Sequence, residues 1–74
     1  MTNRELAAEL VAEADRCMAR RKALLCAAVA ARTTSTIPAA RRALADPEVC
    51  IPAEIRSAAL AELDQVTTTE RTAP

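Results

Sequence analysis

The sequence predicts an all-α fold, and three observations carry that prediction. It has no glycine and no aromatic residue, and it is rich in Ala, Leu, Glu and Arg, the residues with the strongest helix propensity. Its four prolines, at positions 38, 47, 52 and 74, all fall in the second half, so nothing interrupts the first. Apolar residues recur at helical spacing over long stretches.

Thr2 and Glu5 form a T-x-x-E capping box that opens the first helix at about residue 3. No stop signal precedes Thr33-Thr34-Ser35-Thr36, so the expected helix spans residues 3–32, roughly 45 Å at 1.5 Å per residue. A short helix over residues 38–45 follows, and Asp46-Pro47-Glu48 can cap a further turn. Pro52 suits a first helical turn, so a third helix is expected over residues 52–66. It should fade at the β-branched run Thr67-Thr68-Thr69, leaving residues 67–74 as a flexible tail and residues 1–66 as one helical domain. The predicted architecture is one long N-terminal helix packed by two shorter ones.

On a helical wheel, Leu6, Leu10, Ala14, Cys17, Leu24, Leu25 and Ala28 share one side, with Val11, Met18 and Val29 at its edge. Glu5, Glu9, Glu13, Arg16 and Arg20 lie opposite. From Ala23 to Ala31 both sides are apolar, and a helix apolar all round needs cover all round. The shorter helices offer Ile37, Ala40 and Leu44, then Ile55, Ala59, Leu63 and Val66, which leaves the Ala23–Ala31 segment under-covered. Nine apolar residues fall far short of the ~20 that span a membrane. MARRK followed by ALLCAAVAA has the pattern of a signal peptide, but an acidic, capped stretch precedes it and argues against export. A small chain with 19 alanines and only sixteen Leu, Ile, Val or Met side chains also has little core of its own. A bundle completed by a second copy or a partner is therefore expected.

Arg21 is out of place on this wheel, falling between Cys17 and Leu24 on the apolar side. Either the helix bends there, or the guanidinium reaches solvent, or it meets an acid across an interface. Net charge is zero but segregated: residues 16–42 hold seven bases and no acid, flanked on both sides by acidic stretches. The acidic C-terminal region can fold over the basic middle. Alternatively, two copies of the first helix can cross antiparallel near Cys17, with Glu9 and Glu13 meeting Arg20 and Arg16 of the other chain.

These readings predict a non-enzymatic protein-interaction module, with Leu24, Leu25, Ala28, Val29, Arg20 and Arg21 as the partner-binding residues. An accessory subunit, an antitoxin-like inhibitor or a virion component would suit it, and nine Arg to one Lys fits a bacterial or phage source. The alternative is a helix-turn-helix-like nucleic-acid binder using Arg16, Lys22, Arg32, Arg41 and Arg42. Against it, the candidate recognition helix carries Glu54 and Glu62 against one Arg56, and no aromatic is present to stack on bases. Catalysis has little to build on: there is no His or Tyr, one Lys, and no glycine for a phosphate loop. No cofactor or metal site is expected. Cys17, Cys26 and Cys50 lack metal-ligand spacing, and their odd number points to reduced thiols in a cytoplasm.

Overall fold

In the computed structural model, which describes residues 2–72 and their side chains through Thr67, the chain is all-helical. Helix α1 spans Asn3–Arg16, α2 Arg21–Arg32, α3 Ile37–Ala45 and α4 Ala53–Thr72, with a 3-10 turn at Met18–Arg20 between the first two. The capping residues act as their types dictate. The Thr2 hydroxyl accepts from the Glu5 N–H at 3.2 Å, and the Thr36 hydroxyl accepts from the Ala39 N–H at the same distance. Pro38 sits in the first turn of α3.

The expected single helix over residues 3–32 is corrected to a hairpin. At Cys17 the backbone leaves helical geometry (φ −126°, ψ 88°), the Cys17 N–H closes α1 on the Glu13 carbonyl, and the chain turns back. Neither glycine nor proline causes this; tertiary packing does. A straight helix would leave Ala23–Ala31 open. Folded back, Leu24, Ala27, Ala28 and Ala31 join Leu6, Leu10 and Ala14 in one core, each of them at most 3% exposed. The hairpin is antiparallel, because Asn3 Nδ2 at the start of α1 donates to the Thr34 carbonyl, the Thr34 hydroxyl and the Thr36 carbonyl beyond α2, all at 3.1 Å.

Helix α2 is therefore the central element, packed against α1, α3 and α4, while α1 rests chiefly on α2. The hydroxyls of Thr33 and Thr34 donate to the carbonyls of Val29 and Ala30 (2.9 and 2.7 Å), closing α2 where the threonine run predicts. Leu44 of α3 and Ala59 and Leu63 of α4 complete the core at 1% exposure or less.

The connection between α3 and α4 is held by two polar devices. Asp46 Oδ1 accepts from the Glu48 N–H at 2.9 Å. Arg56 donates to the carbonyls of Ala45 (3.1 Å) and Val49 (2.9 Å), satisfying the end of α3. The last helix also differs from expectation: it starts one residue later and runs six residues beyond residue 66. Thr67, buried, donates from Oγ1 to the carbonyls of Leu63 and Asp64 at 3.0 Å, so its polar group is satisfied inside the helix. The last two residues of the expected tail, 73 and 74, lie outside the described residues.

Candidate binding face on the helical hairpin

Because α1 rests chiefly on α2, one flank of the hairpin faces outward. Between the two helices on that flank lies an open groove of about 470 Å³, lined by Arg4, Ala7, Ala8, Val11, Ala12 and Asp15 of α1 and by Ala28 and Arg32 of α2. Its floor is alanine and valine, and its ends are charged: Arg4 and Arg32 at one, Asp15 at the other. Val11 is 39% exposed, and Val29 of α2 is 51% exposed.

The six residues expected to bind a partner divide sharply. Leu24 and Ala28 belong to the core beneath α1, at 1% and 3% exposure, and Ala28 also lines the groove. Leu25 is half-buried against the same core, and Val29 is open. Helical spacing places Lys22, Leu25, Val29 and Arg32 on one outward stripe of α2.

Arg20 is engaged within the chain. Its Nε donates to Glu62 Oε2 at 2.6 Å, its Nη2 lies 2.5 Å from the same oxygen, and its Nη1 is 3.5 Å from Glu13 Oε1. This bond to Glu62 raises the guanidinium's already high pKa. Arg21 reaches Asp15 Oδ1 at 3.2 Å on the surface, so the turn at Cys17 removes the conflict that a continuous helix creates at this residue.

The basic middle is largely matched by acids. Arg16 bonds Glu13 at 2.7 Å, which holds the Glu13 carboxyl below the usual carboxylate range, and Arg41 pairs with Asp64. Through Arg20–Glu62 and Arg41–Asp64, the C-terminal acids fold over the basic segment. A crossing of two chains near Cys17 would use Glu9, Glu13, Arg16 and Arg20, of which Glu13, Arg16 and Arg20 are already paired within the chain, on a helix that ends at Arg16. Lys22, Arg32 and Arg42 are exposed and form no ion pair among the described residues.

Arg56, the base of the candidate recognition helix, donates to the backbone carbonyls of Ala45 and Val49. Cys17 and Cys26 are half-buried thiols and Cys50 is an exposed one. Among the described residues no group of His, Cys, Asp or Glu is arranged to hold a metal, and no helix is long and apolar enough to cross a membrane.

Sequence reasoning missed Arg4, Ala8, Val11 and Asp15 as a surface. Their 4-3-4 spacing, that of a packing seam, was the available signal. No family model, curated protein or solved structure matches this chain.

Proposed function

We propose that this chain is a small helical protein-binding module that acts by association and not by catalysis, through the outward face of its α1–α2 hairpin. The observation that carries this reading is the open apolar groove with charged ends, in which Val11 is exposed, beside an outward stripe of α2 on which Val29 is exposed. Apolar burial is the dominant source of association free energy, whereas exposed ion pairs add about 0–1 kcal/mol each. The matching of Arg16, Arg20, Arg21 and Arg41 by carboxylates weakens the nucleic-acid alternative further.

The test uses the full chain as immobilised bait in extract from the cells that make it. Proteins retained by wild type and by Arg42→Glu, but lost on Val11→Glu and Val29→Glu, are the expected result. Retention unaffected by the valine changes would contradict it. So would tight, salt-sensitive binding of a random DNA duplex near 150 mM salt, a concentration at which a few phosphate contacts give only weak binding, if Arg42→Glu abolished it.

A further inference from the structure

Along α1, Arg4, Ala8, Val11 and Asp15 follow one another at intervals of four, three and four residues, the spacing of the a and d positions of a coiled coil. All four are exposed and line the groove, so the seam lies open along the flank of α1 that borders Ala28 and Arg32 of α2. Its order is self-complementary. A twofold axis between Glu9 and Leu10 carries Arg4 onto Asp15, Ala8 onto Val11, and Ala7 onto Ala12. Cation meets anion at both ends, and a small side chain meets a larger one in the middle.

The charges at the seam's ends carry a second signal. Arg4 lies in the first turn of Asn3–Arg16 and Asp15 in the last, each with the sign that the helix dipole disfavours. The neighbours Glu5 and Arg16 obey the rule in the same turns. An antiparallel copy removes the conflict, because it brings its own negative C-terminal end and its Asp15 beside Arg4. Arg4 has no ion-pair partner among the described residues, and Arg32 adds a second unpaired cation at that end of the groove. Asp15 accepts from Arg21 at 3.2 Å but remains 69% exposed, which leaves its carboxylate able to accept another guanidinium.

We infer that the occupant of this seam is a second copy of the chain, paired antiparallel through α1 with Arg4 of each protomer opposite Asp15 of the other. The inference rests on the protein-binding reading and names the partner. It differs from a crossing near Cys17 in register and residues, and it leaves the Glu13–Arg20–Glu62 ion pairs intact.

The experiment is sedimentation velocity of the full chain and two charge reversals, Arg4→Glu and Asp15→Arg, from about 1 to about 500 µM, a range suited to an interface below standard size. Wild type should self-associate, and each reversal alone should weaken association at least tenfold, since like charges then face each other at both ends. An equimolar mixture of the two variants should associate as well as wild type. In the mixed pair the introduced glutamate of one chain faces the introduced arginine of the other at one end, and the native Arg4 and Asp15 face each other at the opposite end. Circular dichroism checks folding, and both reversals now suit the helix dipole. A wild type that stays monomeric overturns the pairing; so do reversals without effect, or a mixture no better than its components. If extract proteins were still lost on Val29→Glu, only the identity of the partner would have failed; if neither assay responded, the protein-binding reading would fall with it.

Discussion

Arg20 and Glu62 stand 42 residues apart in sequence, yet Arg20 Nε lies 2.6 Å from Glu62 Oε2, tying the turn between α1 and α2 to the middle of α4. The Glu62 side chain is only 11% exposed. Arg20→Ala should therefore strand a mostly buried carboxylate. It should lower the urea midpoint clearly more than Arg16→Ala, which breaks a surface pair three residues apart. Equal midpoints for the two variants would mean that the long-range pair does not hold α4.

Leu24 and Val29 separate the two sides of the apolar nonamer. Leu24→Ala should destabilise the fold by about 2–5 kcal/mol, the usual range for a large side chain removed from a packed core. Val29→Ala should stay within about 0.5 kcal/mol, as surface substitutions do. Chemical denaturation measures both, and comparable losses would contradict the assignment of Val29 to an open face.

Asn3 joins the two ends of the hairpin with one amide. Asn3→Ala should cost about 1–2 kcal/mol, because the Thr34 and Thr36 carbonyls lose a shared donor. Amide exchange should speed up around Thr34–Thr36 and in the first turn of α1. Unchanged exchange there would show that the core alone closes the hairpin.

Acid should act partly through Glu13, whose folded-state pKa lies below the ordinary 4.5, first because it accepts a hydrogen bond from Arg16. A depressed carboxylate contributes stability that is fully present above its unfolded value and is lost as pH falls through the folded one. Stability should thus decline below about pH 4.5, and Glu13→Gln should flatten that limb. Arg20, with its pKa raised, stays charged throughout this range and adds no pH dependence of its own.

The helical class, the cap at Thr2, the stop after Arg32 and the start of α3 are legible in the sequence because each depends on local chemistry. The reversal at Cys17 is not, since Cys17-Met18-Ala19 contains no helix breaker. It is driven by burial of Ala23–Ala31, a requirement that appears only when the whole chain is considered. Arg21 gave the available hint: a cation on the apolar side of a continuous wheel is a reason to break the wheel. The same reversal explains the candidate site. Leu24 and Ala28 look like a docking surface on a straight helix, but in the hairpin they are the floor beneath α1. The exposed seam on α1 emerges only once α2 has taken up the side carrying Leu6 and Leu10. The extension of α4 through the threonines was hidden because propensity disfavours them there, whereas the buried Thr67 hydroxyl is satisfied by the carbonyls one turn back.

The claim that the outer face of α1 is an association surface is tested most directly by amide NMR of the labelled full chain at increasing concentration. Concentration-dependent shifts are expected at Arg4, Ala8, Val11 and Asp15, with Arg42 and Arg56 unmoved. Spectra that are identical at all concentrations, or shifts that gather at Arg42 and Arg56 and leave α1 still, would contradict it.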